Sequence, residues 1–302
     1  MTARPAPFAM TGFDVLLYAG LIWAWSTSWL AITYQLGAVS PEVSVFWRFL
    51  LTVPVMALLG WWRGETLRFD WATHRLLLLT GVAMFSTNFI LFYYTGTYLP
   101  SGLLAVIFSL ASIINFGFGV TFGGEPFRWR LAAGAVLGVI GVAALFQPQL
   151  ANAGSAPGAI TGLMLGMTAT LCFSSGSQVS ARLQRRGIPV IAATTWGMIY
   201  GTLWAGLIAL GRGQSFAIPL TAPYLGAMAF LIFSATVLAF YTYLTLVGRI
   251  GAARASYATV IFPIFALALS SLVEGYRWTP LALAGVVMAV AGNLLVLRRD
   301  RA

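Results

Sequence analysis

The sequence predicts an all-α polytopic membrane protein of ten transmembrane helices, built as two inverted five-helix repeats around a central cavity. Three observations predict it: a composition too apolar for any water-soluble fold, ten apolar runs of bilayer-crossing length, and a register that lays one half of the chain on the other. Of the 302 residues, 60% are hydrophobic and 8% are charged, whereas soluble domains carry about 25% charged residues. A helix crosses the hydrocarbon core with about 20 mainly apolar residues, so the chain has room for ten crossings and little else.

The runs fall at 13–35, 43–62, 75–94, 100–122, 130–147, 158–181, 190–210, 223–247, 252–272 and 279–297. The opening MTARPAPFAMTGFD places one arginine before an apolar run that reaches Gln35, longer than a signal-peptide core and without a clear cleavage site, so it reads as a retained first span. Ser40-Pro41-Glu42 before the second span and Thr279-Pro280 before the tenth each offer a capping hydroxyl followed by proline at the first helical position. The third span carries Phe85, Ser86, Thr87 and Asn88, and the fourth carries Ser109, Ser112 and Asn115 at helical spacing. The sixth carries Ser174, Ser175 and Gln178; the ninth carries Ser256, Tyr257 and Thr259. The fifth and tenth are rich in Gly and Ala and read as close-packed scaffold.

The longest irregular connections run over 147–158 and 211–223, and the first separates halves of nearly equal length, 1–149 and 150–302. One ungapped offset of 149 pairs Ser26 with Ser175, Trp47 with Trp196, Thr87 with Thr236 and Gly102 with Gly251, and lays GGEPFRW over LVEGYRW, so that Glu125 meets Glu274. Five spans per half is an odd number, so the second half must be inverted. The arginines agree: Arg4, Arg63, Arg68, Arg75, Arg128, Arg130, Arg182, Arg185, Arg186, Arg249, Arg254, Arg298, Arg299 and Arg301 fall on one face, and only Arg212 and Arg277 on the other. Arginine enrichment marks the cytoplasmic side. Both termini are therefore expected in the cytoplasm of a bacterial cell, with the protein in its inner membrane.

A net charge of +10 is spread in short clusters between apolar runs, not along one basic face, which argues for orientation and against a nucleic-acid partner. Cys172 is the only cysteine, so neither an internal disulfide nor a thiolate cluster can form, and no metal or cofactor is expected. HExxH, a buried aspartate pair and a membrane Ser–His pair are all missing, so catalysis lacks its reagents. Every acidic residue lies at or beyond a span end and the sole histidine, His74, lies in a loop, which predicts transport without a proton relay.

Arg48 lies inside the second span. Two readings stay open: it snorkels to the interface, or it faces the cavity and pairs with a substrate carboxylate or with carbonyls. Trp25 and Ser26 in the first span, Phe85 and Asn88 in the third, Ser109 and Ser112 in the fourth, Ser175 and Gln178 in the sixth and Tyr257 in the ninth are the candidate cavity residues. Equally, their polar groups can serve to join helices. Pro54 and Pro263, inside the second and ninth spans, are candidate gating bends or tolerated kinks.

The two five-helix repeats, the Gly- and Ala-rich last helix of each, the Gly124-Glu125 turn with Glu274 in the second copy, and Arg48-Phe49 together resemble the drug/metabolite transporter superfamily, specifically its EamA-type exporters. The second half departs from the pattern at Val273 and at Gly197, which stands where the first half has Arg48. The resemblance implies a cavity lined by the first, third, fourth, sixth, eighth and ninth spans, with the fifth and tenth outside it. Among such exporters, the deep aromatic residues are most similar to bacterial aromatic amino-acid exporters. The expected function is alternating-access transport of amino acids, aromatic or apolar favoured, and related metabolites. A carrier of other small metabolites or drugs, or a passive channel, stays open, and the expected partners are a small-molecule substrate and the lipid bilayer, with a monomer favoured.

Overall fold

The structure is a computed structural model that describes residues 11–122, 129–151, 156–250 and 258–297. The described residues form ten helices. These are α1 (Gly12–Thr33), α2 (Pro41–Trp62), α3 (Trp71–Gly96), α4 (Ser101–Ser109 and Ala111–Phe122), α5 (Trp129–Ala151), α6 (Ala156–Arg185), α7 (Val190–Gly211), α8 (Ala222–Ile232, Phe233–Leu238 and Ala239–Ile250), α9 (Ala258–Val273) and α10 (Pro280–Leu297). Seven are long and apolar enough to cross a membrane, and shorter apolar helices in α5, α9 and α10 complete the spans.

Local chemistry sets the helix starts. Thr11 and Asp14 form a capping box on α1, Asp70 Oδ1 accepts the Thr73 N–H at 2.9 Å on α3, and Thr279 Oγ1 accepts the Ala282 N–H at 3.0 Å on α10. The Ser40 hydroxyl departs from expectation. The Val43 N–H turns to the Ser40 main-chain carbonyl at 3.0 Å, so the hydroxyl is left buried without a cap bond, and Pro41 alone defines the start of α2. Two features escaped the sequence reading: π-helical turns inside α3, at Ala83–Thr87, and inside α8, at Phe233–Leu238. Each adds a residue to one turn and re-aims the side chains beyond it.

The repeat is written into hydrogen bonds. Trp47 Nε1 donates to Phe216 O at 2.9 Å, and Trp196 Nε1 donates to Leu67 O at 2.8 Å; both partners are related by the offset of 149. The C-terminal turns of α2 and α7 also match. Gly64 and Gly213, again 149 apart, take positive φ of 70° and 64°. Glu65 N then reaches Gly60 O, and Gln214 N reaches Ala209 O.

Antiparallel packing shows the inversion. On α2 and α7, Gly60 meets Ile191 while Gly206 meets Phe46; on α5 and α10, Gly141 lies on Gly285 and Gly138 on Gly292. In each pair one number rises as the other falls. A Cβ on Gly285 would stand 2.6 Å from Gly141 O, so α5 and α10 touch backbone to backbone as the small-residue pattern demands. Around the bundle axis, α8, α1, α9, α4, α6 and α3 pack in succession. Paired α2 and α7 fill the gap between α3 and α8, and the α5–α10 pair lies outside against α4, α6 and α9. Trp61, Trp62, Trp71 and Trp129 are exposed at helix ends, where an interfacial belt belongs. Below, the near end of the bundle is where α1 begins and the far end is where it finishes.

Candidate functional site

Six helices meet at the axis on aromatic rings. Trp29 of α1 lies edge-on to Phe92 of α3 with ring centroids 5.0 Å apart, 5.5 Å from Phe108 of α4, and parallel to Phe262 of α9 at 6.5 Å. Phe108 meets Phe173 of α6 at 4.6 Å. Trp25 joins from one turn below Trp29, 6.0 Å from Phe262 and 5.8 Å from Tyr243 of α8. Each of the six helices lining the axis thus supplies a ring, and half of these pairs are edge-to-face, which the ring quadrupole favours.

The bundle is tighter at its far end. Along α4, every residue from Ser101 to Ala111 except Phe108 is buried, whereas every residue from Ser112 to Phe118 is only half-buried. Glu274, just beyond α9, reinforces the far end: its carboxylate accepts the Ser101 N–H at 3.1 and 3.2 Å and also the Ser101 hydroxyl, capping α4 from another helix. Its repeat mate Glu125 lies outside the described residues.

Beside the aromatic cluster lies a buried polar cluster around Arg48. The side chain is 4% exposed, so it does not snorkel, and its guanidinium lies 4.7 Å from the Phe89 ring centroid and 5.5 Å from that of Phe49. Nη2 donates to Thr236 Oγ1 at 3.3 Å, while Thr236 itself donates to Leu231 O at 2.8 Å across the π turn of α8. That turn is what points Thr236 at Arg48. Nε and Nη1 have no hydrogen-bond partner among the described residues. Tyr93 lies within electrostatic reach of Arg48 and donates to Gln35 Oε1 at 2.6 Å, and the fully buried Gln35 leaves its Nε2 unpartnered.

The described carboxylates are engaged elsewhere. Glu42 pairs with Arg212 at 2.6 Å and accepts from Tyr94 at 2.9 Å. Asp14 pairs with Arg249, and Glu65 accepts the Ala192 N–H at 3.0 Å at the start of α7. Asp70 caps α3, and its bonds from Thr73 hold its carboxyl below the usual range. Among the described residues no three of His, Cys, Asp and Glu gather as metal ligands.

The other residues singled out from the sequence are less concentrated. Ser26 is buried with its hydroxyl on Ile22 O and, across to α9, on Phe262 O at 3.0 Å. Ser109 and Ser112 both meet Asn293 of α10, a buried residue that the sequence reading passed over as scaffold. Gln178 donates from α6 to Asn115 of α4 at 3.2 Å, and the exposed Ser175 bonds to Leu171 O within its own helix. Phe85, in the π turn of α3, packs on Phe49 and fills the space over Gly197 of α7, away from the ring cluster. Asn88 is buried with Nδ2 on Met84 O at 3.3 Å and Oδ1 unpartnered. Pro54 is exposed in a helix that continues through it; Pro263 is buried in α9 and lines a crevice with Ser109 and Asn293. Tyr257 lies outside the described residues.

Trp29, Phe108, Phe173, Phe262, Gln35, Tyr93 and Thr236 were missed. Some signal existed: Trp29 follows Trp25 by four residues and shares its helix face, and Phe108 is the repeat mate of Tyr257 at the offset of 149. Gln35 stands outside any helical periodicity, so only the fold could bring it to Tyr93.

Comparison with known proteins agrees with this architecture. The chain is 26% identical over 294 residues to the protein PagO of Salmonella typhimurium, covering 90% of this chain and 89% of that one. It is 23% identical over 201 residues to a probable amino-acid metabolite efflux pump of the same organism, covering 64% and 66%. It is also 23% identical over 291 residues to the uncharacterized transporter YvbV of Bacillus subtilis, covering 95% and 92%. A crystal structure superposes with a TM-score of 0.66 at 20% identity over 95% of this chain and 96% of that one, a likeness of fold. The EamA-like transporter family matches twice, over residues 12–147 and 160–298. Ten helices in two inverted halves, a ring-filled axis and this double match make the chain a multi-pass membrane transporter of the EamA-like transporter family, and not an enzyme.

Proposed function

We propose that this transporter exports amino acids, preferring aromatic or apolar side chains, together with related metabolites, by alternating access. The observation that carries this is the ring cluster at the axis, one aromatic from each of six helices. An apolar amino-acid side chain can replace one ring-to-ring contact by another of the same kind at little cost. The name of the Salmonella efflux pump supports the substrate class. On this reading both termini are cytoplasmic, the near end faces the cytoplasm, and the state described has its periplasmic end shut.

Transport then requires the two halves, 1–149 and 150–302, to rock about the paired helices α2 with α7 and α5 with α10. The π turns of α3 and α8 and the Pro263 position in α9 are where those helices can bend. Trp25, Trp29 and Phe262 contact the side chain. Ser26, Asn88, Ser109, Ser112 and Gln178 brace the path, and the protein works as a monomer without a proton relay. The test is counterflow of labelled phenylalanine in proteoliposomes. Saturable exchange that falls at least about tenfold in Trp29→Ala and Phe262→Ala is expected. Flux of sugars with amino acids ignored, unsaturable single-channel currents, or strict dependence on a pH gradient would each refute a stated part.

A further inference from the structure

We propose that the buried polar cluster around Arg48 is the site that holds the substrate's carboxylate, so that a carboxylate is an obligatory feature of what this protein carries; this rests on, and deepens, the amino-acid reading above. Among the described residues Arg48 is a buried cation that meets only neutral hydroxyls, Thr236 Oγ1 at 3.3 Å and that of the neighbouring Tyr93. Rings of Phe89 and Phe49 stabilise it partly. A charge taken from water without a partner costs several kcal/mol, and the described carboxylates are bound to Arg212, Arg249 or helix starts instead.

The vacancies are of one kind. Arg48 Nε and Nη1 and Gln35 Nε2 are all N–H donors without acceptors among the described residues, buried within reach of the same Tyr93. Such a set asks for an acceptor bearing negative charge. One guanidinium with neutral amide and hydroxyl neighbours matches a monoanion, and a planar carboxylate suits the guanidinium fork. A phosphate dianion would keep an uncompensated charge. The location fits as well, because Phe92 faces the ring cluster and the next residue, Tyr93, faces Arg48. The ring of an aromatic amino acid and its carboxylate would thus be read by consecutive residues of α3.

The experiment measures binding of labelled phenylalanine to the purified full chain, in competition with phenylalaninamide, phenethylamine and phenyllactate, together with thermal unfolding. The unaltered protein should prefer phenylalanine and phenyllactate over the amide and the amine by about 10- to 100-fold, the range of a charged hydrogen-bonded pair. Arg48→Lys should keep part of the preference, and Arg48→Met should lose it. Gln35→Glu retains the acceptor for Tyr93 and places a carboxylate on the tyrosine that neighbours Arg48. It should raise the melting temperature and abolish phenylalanine binding, which keeps the proposal testable even if Arg48→Met does not fold. Equal affinity for acid and amide in the unaltered protein overturns the proposal, as does retained preference in folded Arg48→Met or unchanged melting and binding in Gln35→Glu. Stabilisation by chloride alone, with no effect of any carboxylate, overturns it too. Phenyllactate binding that depends on Arg48 while phenylalanine is ignored supports the carboxylate site and instead removes the amino-acid reading.

Discussion

Replacing Glu274 with alanine removes the acceptor that ties the start of α4 to the end of α9. Three bonds converge on that carboxylate, from the Ser101 N–H at 3.1 and 3.2 Å and from the Ser101 hydroxyl. Glu274 is itself exposed although Ser101 is buried, so solvent screening lowers the value of its charge. Taking about 1 kcal/mol for the helix cap and about 1 kcal/mol for the hydroxyl bond, the far-end closure loses about 2 kcal/mol. Every 1.4 kcal/mol is tenfold, so far-end opening should become about 30-fold more frequent. The assay is the labelling rate of a single cysteine at Ala105, which is fully buried in the tight half of α4, in a Cys172→Ser background with a membrane-impermeant maleimide. Labelling tracks the open population when opening is fast relative to reaction. An Ala105→Cys protein labelled at the same rate with and without Glu274 would show that this carboxylate does not hold the far end shut. Glu274→Gln, which keeps an acceptor without the charge, should fall between the two.

Other perturbations follow from the same geometry. Trp47→Phe and Trp196→Phe each remove one indole bond to a carbonyl, at 2.9 and 2.8 Å, and should each cost about 1 kcal/mol in thermal unfolding, equal to within about 0.5 and additive because they lie at opposite ends; a large inequality would count against equivalence of the halves. Gly292→Ala puts a Cβ 2.4 Å from Gly134 O and 2.6 Å from Gly138 N, backbone atoms that cannot swing away. It should destabilise by about 1–3 kcal/mol. By contrast Gly117→Ala, whose Cβ meets nothing within 4 Å, should be neutral or better. Asp70 offers a pH test. Its folded carboxyl is held below its unfolded value, so its cap on α3 contributes fully above the unfolded range and is lost as pH falls through the folded value. The Thr73 amide chemical shift should follow that titration, and Asp70→Asn should remove the dependence.

The sequence by itself determined the spans, their inversion and the scaffold, because these depend on quantities summed along the chain. Apolar runs must match a bilayer, a duplicated register survives point changes, and a Gly- and Ala-rich helix such as α5 or α10 can do little but pack closely. Matching indole bonds at Trp47 and Trp196 and matching turns at Gly64 and Gly213 show how far an offset read from letters reaches into geometry. Individual side-chain roles were less legible. Ser109 and Ser112 looked like cavity residues and turned to Asn293, since a serine at a helix contact and a serine on a path carry the same periodicity. Tertiary structure alone decided between the two fates of Arg48. Whether its guanidinium snorkels or stays buried depends on where α8 crosses, and the π turn at Phe233–Leu238, invisible in hydropathy, carries Thr236 to it while Nε and Nη1 meet no acceptor among the described residues. The ring cluster has the same origin: five aromatics dispersed from Trp29 to Phe262 become neighbours only when inverted halves close around one axis, because contact between distant residues is a property of packing and not of local sequence.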